Sequence, residues 1–190
     1  MKNYQIIYAD PPWDYDDKRQ DKRKYGGKEY PTLTIKELCD LPIATLADDN
    51  CALFLWVTMP QLEVGFEVIN SWGFKYKTCG FTWVKTYKGM GWYFGLGNWT
   101  RANSGLCLLS FKGKMKRLRN DIPQLVVSEI MEHSHKPAIV REYIVGLLGD
   151  LPRIELFARR KVEGWDCWGN EVESDIDLSV TPEVMKAWKL

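Results

Sequence analysis

Residues 51–57 read Cys-Ala-Leu-Phe-Leu-Trp-Val, an apolar run with no polar interruption. A strand with one wet face alternates apolar and polar residues, so an unbroken run of strand length predicts a strand covered on both faces. The neighbouring patterns agree. Tyr4–Ala9 is β-prone and stops at Asp10-Pro11-Pro12, because two prolines cannot continue a central strand. Residues 80–85, 106–112 and 153–158 are further strand candidates, with residues 126–130 another short apolar run. Apolar spacing at Leu62, Phe66 and Ile69 predicts a helix over 61–72 that stops at Gly73. Residues 34–38 begin a short helix, and Ile139–Leu148 reads as an amphipathic helix whose first turn suits Pro137. Strands alternating with helices predict an α/β fold with a largely parallel sheet, in one domain over residues 1–190.

Composition narrows the function. The chain is 45% hydrophobic and 27% charged with a net charge of +1, which excludes a disordered or strongly polyanion-binding protein. The apolar runs are far shorter than a bilayer requires and no signal-peptide pattern opens the chain, so a cytoplasmic location is expected. The five cysteines contain no C-x-x-C pair, which fits reduced thiols. His133 and His135 lack accompanying ligands at metal spacing, so no metal is expected. Two basic clusters stand out. Lys112, Lys114, Lys116, Arg117 and Arg119 form one, and Lys22 and Arg23 belong to another that is interleaved with acids; both are candidate phosphate contacts. Two long segments without periodicity, 14–30 and 86–104, read as functional loops, the first of them mobile.

Asp10-Pro11-Pro12-Trp13 is the motif richest in chemistry. In open α/β sheets ligands bind outside the carboxyl ends of strands. There the Asp10 carboxylate and the Pro11 carbonyl, both acceptors, can face one amino group. Pro12 stiffens the turn, and Trp13 offers a flat face on which a base can stack. The pattern suits a grip on a planar amine.

Three segments in order, YADPPWDY at 8–15, SHKP at 134–137, and IELFARR with GWDCWGNE across 154–171, resemble the DPPW-type N6-adenine methyltransferases. That family includes the eukaryotic messenger-RNA adenosine methyltransferase and small phage and bacterial enzymes. The resemblance implies a Rossmann-like S-adenosylmethionine-dependent methyltransferase fold in permuted order, the catalytic strand first and the cofactor strand late. It implies that Asp10 and Pro11 hold the adenine amino group while Pro12 and Trp13 shape and stack the base. For S-adenosylmethionine it implies contacts from Asp10, His135, Lys136, Phe157, Ala158, Arg159, Asn170 and Glu171. Glu171 stands where some members carry an amide, and Lys161 and Val162 stand where polar contacts are expected. Residues 172–178 are the candidate source of contacts to the cofactor's adenine.

The expected reaction is direct methyl transfer to adenine N6, with the base flipped out of a duplex or offered by a single strand. The aromatic residues Tyr87, Trp92, Tyr93, Phe94 and Trp99 can cover the base or fill the vacated stack, unless they pack on one another. The short form of the chain favours DNA over RNA as substrate. Pairing of copies is common among the relatives, which makes a homodimer an expected partner. A non-catalytic nucleic-acid-binding subunit is the rival reading, and a cytosine-N4 enzyme a second rival.

Overall fold

The computed structural model describes residues 3–14, 24–25, 28–29, 31–89, 91–95, 97, 99–130 and 135–188. In chain order its elements are β1 (Tyr4–Ala9), β2 (Lys24–Tyr25), β3 (Lys28–Glu29), α1 (Ile35–Asp40), β4 (Ala47–Val57), α2 (Leu62–Ser71), β5 (Lys75–Thr86), β6 (Ser104–Lys112), β7 (Leu125–Glu129), α3 (Ile139–Leu148), β8 (Arg153–Leu156), β9 (Asp166–Trp168) and α4 (Pro182–Trp188). Seven strands form one sheet in the order β7-β5-β6-β4-β1-β8-β9, and β2 pairs only with β3.

The apolar run of 51–57 lies in β4 near the middle of that sheet, buried on both faces as its pattern requires. On one face Ile7, Leu53 and Leu55 pack with Leu38 of α1, Val68 and Ile69 of α2 and Val184 and Trp188 of α4. On the other Ile6, Tyr8, Phe54 and Trp56 pack with Val140, Ile144 and Leu148 of α3. The result is a three-layer α/β/α arrangement. Thr34 caps α1 through a capping box with Glu37, which satisfies two otherwise orphaned donors at the helix start.

Strand direction decides where the chemistry falls. β1 is parallel to β4 and β8, β8 to β9, and β5 to β7. β6 runs antiparallel to both β4 and β5. A parallel connection needs a crossover, usually helical; the described residues between β5 and β6 form no helix, and the chain turns back beside the strand it has just left. The carboxyl ends of the parallel strands, Ala9, Val57, Thr86, Glu129, Leu156 and Trp168, therefore share one edge with the start of β6. The end of β6 at Lys112 lies on the opposite edge.

Candidate active site

Asp10 is the first residue past β1, at the carboxyl edge. The turn that carries it is fixed by its own backbone and by a tryptophan. The Pro11 carbonyl accepts from the Trp13 N–H at 2.9 Å, and the Pro12 carbonyl from the Leu33 N–H at 2.9 Å. Gln61, just before α2, donates from Nε2 to the Asp14 carbonyl at 2.9 Å. Trp13 itself is only 5% exposed and sits in the core beside Leu33 and Leu55. Its indole Nε1 donates to the Trp56 carbonyl at 3.0 Å. This corrects the sequence expectation: the indole is an anchor under the turn, and its faces are taken up by protein rather than presented to a base.

Lys136, just before α3, donates from Nζ to Asp10 Oδ2 at 2.6 Å and lies 5.4 Å from the centroid of the Trp56 ring. The pair joins the DPPW turn to the SHKP segment, and it leaves the other carboxylate oxygen of Asp10 as an acceptor. The Pro11 carbonyl likewise keeps a second lone pair. Of the residues named from the sequence, Asp10, His135, Lys136, Phe157 and Arg159 line one pocket at this edge, together with Arg141, Glu155 and Arg160. Phe157, the first residue after β8, has φ +62°, the left-handed region that a bulky residue seldom adopts. Trp72, Trp168 and Trp188 surround its ring at centroid distances of 6.5, 5.6 and 5.1 Å.

The other cofactor candidates lie beside the pocket rather than in its wall. Ala158 is buried and its N–H donates to the Trp168 carbonyl at 3.0 Å. A Cβ at Gly169 would stand 2.0 Å from the Ala158 carbonyl oxygen, so only glycine fits that crossing. Asn170 turns its amide to the Trp188 carbonyl at 3.0 Å, and Glu171 faces Arg159 at 3.8 Å.

The basic run is not at this site. Lys112 ends β6 on the opposite edge and donates to the Ala47 carbonyl at 2.9 Å. Lys114 follows the Gly113 turn and binds Asn50 Oδ1 through its backbone N–H at 2.7 Å. Lys116 and Arg117 are exposed there, and Arg119 is held in a two-pronged pair by Asp121 at 2.8 and 2.6 Å. Because β6 runs backwards, the whole length of that strand separates these residues from Asp10. Lys22 and Arg23 lie outside the described residues, as do His133 and Ser134.

The loop between β5 and β6 does stand at the site edge. Its neck is pinned by the Lys85 N–H donating to Asn103 and by the Tyr93 N–H donating to Lys85, at 2.8 and 3.0 Å. Tyr87 and Tyr93 pack edge to face at 5.3 Å. Trp92, Phe94 and Trp99 project outward, with Trp99 fully exposed, and Lys88 and Arg101 are exposed on the same loop.

Three residues at this edge are not among the site candidates named from the sequence, although Glu155 stands inside the IELFARR segment. Lys85, the penultimate residue of β5, lies 5.0 Å from the centroid of the Trp83 ring. Burial, and then the positive charge of Lys136, hold its proton affinity below the ordinary lysine value, while Asp10 pulls it back up. Arg141 and Glu155, on α3 and β8, form a buried ion pair of 2.7 and 2.6 Å in the pocket wall. Only their opposite charges, 14 positions apart, hinted at the pairing.

A pocket of mixed charge at the carboxyl edge of a Rossmann-like α/β sheet, walled in part by the turn after β1, defines a ligand-binding enzyme fold. Residues 4–171 match the MT-A70 family, and the chain belongs to that family of methyltransferases. It is 36% identical over 202 residues to the type II methyltransferase M.MunI of a Mycoplasma species, covering 96% of this chain and 84% of that protein. Against the human N(6)-adenosine-methyltransferase catalytic subunit METTL3 the identity is 31% over 199 residues, covering 100% of this chain and 31% of that protein. An MT-A70-like N(6)-adenosine-methyltransferase of Arabidopsis thaliana is 29% identical over 181 residues, covering 90% of this chain and 24% of its own length. This chain therefore spans most of the Mycoplasma protein and less than a third of the plant and human ones. Among the described residues no helix is long and apolar enough to cross a membrane.

Proposed function

We propose that this chain, acting as one 190-residue unit in permuted methyltransferase order, transfers the methyl group of S-adenosylmethionine to the N6 amino group of adenine in DNA. The observation that carries the reading is the Asp10 carboxylate beside the Pro11 carbonyl at the end of β1, held by Lys136 at 2.6 Å on the wall of the pocket.

The pocket residues suit the cofactor chemically. Its wall carries both signs of charge, Asp10 and Glu155 against Lys136, Arg141, Arg159 and Arg160, which matches a ligand with an amino-acid end and a sulfonium. When bound, S-adenosylmethionine supplies an electrophilic methyl group. Asp10 and the Pro11 carbonyl accept the two amino hydrogens of adenine, which favours the pyramidal nitrogen over the ring-conjugated one and aims its lone pair. Lys136 fixes the carboxylate rotamer and Trp13 fixes the turn beneath it. Alignment of this kind is worth up to roughly 7–11 kcal/mol.

Loop 87–103 is the candidate cover for the target base. Trp92, Phe94 and Trp99 can take bases by stacking, and Lys88 and Arg101 can meet phosphates. This assigns to the loop the stacking for which buried Trp13 has no open face, and phosphate contacts nearer to Asp10 than the Lys112–Arg119 run on the opposite edge. DNA is favoured by the likeness to a type II methyltransferase of comparable length; RNA is the alternative, favoured by the adenosine methyltransferases.

The test is transfer of labelled methyl from S-adenosylmethionine to double-stranded DNA, single-stranded DNA and RNA, with nucleoside analysis and Asp10→Ala as control. N6-methyladenine in DNA that disappears in the variant is the expected result. Methylation of RNA alone would overturn the substrate, and cofactor binding without any transfer would favour the non-catalytic subunit.

A further inference from the structure

Lys75 and Lys77, at the start of β5, are exposed, as unpaired ammonium groups usually are. Lys85, at the other end of the same strand, is half-buried. It shares a face of the strand with Phe81 and Trp83, the face packed against α3. Its Nζ lies 5.0 Å from the centroid of the Trp83 ring, and among the described residues that ammonium has no hydrogen-bond or ion-pair partner. Ser128 of β7 is its register partner. Ser128 Oγ accepts from Trp83 Nε1 at 2.8 Å. A hydroxyl that accepts still has its own proton to give, and among the described residues nothing takes it. One indole thus carries a hydroxyl at its edge and an ammonium over its face, two donors on neighbouring strands that lack an acceptor.

Packing alone does not account for the pair. Burial and the charge of Lys136 both disfavour the Lys85 ammonium, and an apolar side chain would end the strand without that penalty. An ammonium and a hydroxyl presented together suit an anion whose oxygens accept from both. The pocket walled by Asp10, Lys136 and Arg159 is a separate place. β6 and β4 stand between β5 and β1, which sets the two strands roughly 14 Å apart at the usual strand spacing. Lys136, Trp56, Trp83 and Lys85 form a row across that gap, at successive distances of 5.4, 6.4 and 5.0 Å. Under the proposed function the amino group of adenine sits at the Asp10 end of the row. The sugar and phosphate, at the other end of a nucleotide, then lead away from Asp10.

We propose that Lys85 and Ser128 form an anion site that holds a backbone phosphate beside the target adenine. The proposal rests on the nucleic-acid reading given above. It adds the direction in which the strand crosses the edge, from Asp10 of β1 towards β7, and places one phosphate contact on the sheet itself, whereas Lys88 and Arg101 belong to the loop.

The test is fluorescence titration of single-stranded DNA and RNA oligonucleotides with one adenine, S-adenosylhomocysteine present, in a series where one phosphate at a time is replaced by an uncharged methylphosphonate. Wild type is expected to lose about tenfold in affinity when a linkage beside the adenine is neutralised. Lys85→Met is expected to bind the unmodified strand about tenfold more weakly and to ignore, within about twofold, the methylphosphonate at one linkage that wild type feels. Lys85→Arg is expected to keep that sensitivity. Should Lys85→Met fail to fold by circular dichroism, Ser128→Ala decides, its loss at that linkage being expected to shrink by about threefold. A wild type indifferent to every linkage beside the adenine, or a folded variant that keeps full sensitivity at each of them, overturns the proposal and leaves the methyltransferase reading intact. A wild type that binds no oligonucleotide overturns both.

Discussion

The Nζ of Lys136 lies 2.6 Å from Oδ2 of Asp10, a contact across 126 positions of sequence. It makes the acidic turn and the helix-start lysine a single unit; under the proposed function one residue grips the amino group and the other holds the grip still. Asp10→Ala should lower kcat for methyl transfer by roughly 10²–10³-fold or more. Lys136→Met, which keeps the carboxylate and frees its rotamer, should cost about 10²-fold. Single-turnover assays with labelled cofactor measure both; equal, near-wild-type rates would remove the pair from the mechanism.

Trp13 should behave as a stability residue. Trp13→Ala removes a core indole and should cost about 3–5 kcal/mol in urea unfolding. Trp13→Phe keeps most of the ring but leaves the Trp56 carbonyl without its donor, a loss of about 1–3 kcal/mol. A Trp13→Phe variant with full stability and weakened oligonucleotide binding would return the residue to a stacking role.

Charge and aromatic substitutions should separate the two edges of the sheet. Trp99→Ala should weaken single-stranded oligonucleotide binding by about 1–3 kcal/mol with no change in melting temperature. Arg101→Glu should raise the oligonucleotide KM and flatten its salt dependence. Lys116→Glu with Arg117→Glu, on the far edge, should leave KM within a factor of about two. Fluorescence titration at several salt concentrations distinguishes these outcomes.

Lys85 gives a pH signature. Folding disfavours its ammonium through burial and the nearby Lys136, so the unfolded chain holds that proton more tightly than the native one does. The penalty is present in full below the native value and fades as pH climbs towards 10.5, the ordinary lysine value. Lys85→Met should therefore be at least as stable as wild type at pH 7, its advantage shrinking as pH rises through that window. Denaturant unfolding at pH 7, 8.5 and 10 checks the sign.

Much of this arrangement is legible in the sequence because burial writes itself as hydrophobic pattern. The unbroken run in β4, the strand that stops at Asp10, and the apolar spacing of α2 and α3 all mark elements with covered faces. Where covering is partial the signal fades. β5 begins at Lys75, five residues before its apolar part, because Lys75 to Thr78 are exposed. β9 has three residues and opens on Asp166, too short for any period to register. α4 is a seven-residue helix in an acidic tail. The site divides in the same way. Asp10, Lys136 and Phe157 line one pocket, because each follows or precedes a buried element. The Lys112–Arg119 run lies on the opposite edge from that pocket, which its composition does not foretell, since nothing in it tells which way β6 runs. Trp13 escapes for a related reason: a motif gives the residue and not the direction of its side chain. Arg141 and Glu155 become a pair only when α3 is laid against β8.

Loop 87–103 leaves and re-enters the sheet through neighbouring strands, its neck closed by hydrogen bonds at Lys85 and Asn103. Lengthening such a loop costs only about 0.6 kcal/mol per doubling, and none of its outward aromatic residues belongs to the core. Under the proposed function, target preference can thus drift through this one excursion while Asp10, Lys136 and the sheet beneath them stay fixed, so that a single scaffold acquires new targets without relearning its chemistry.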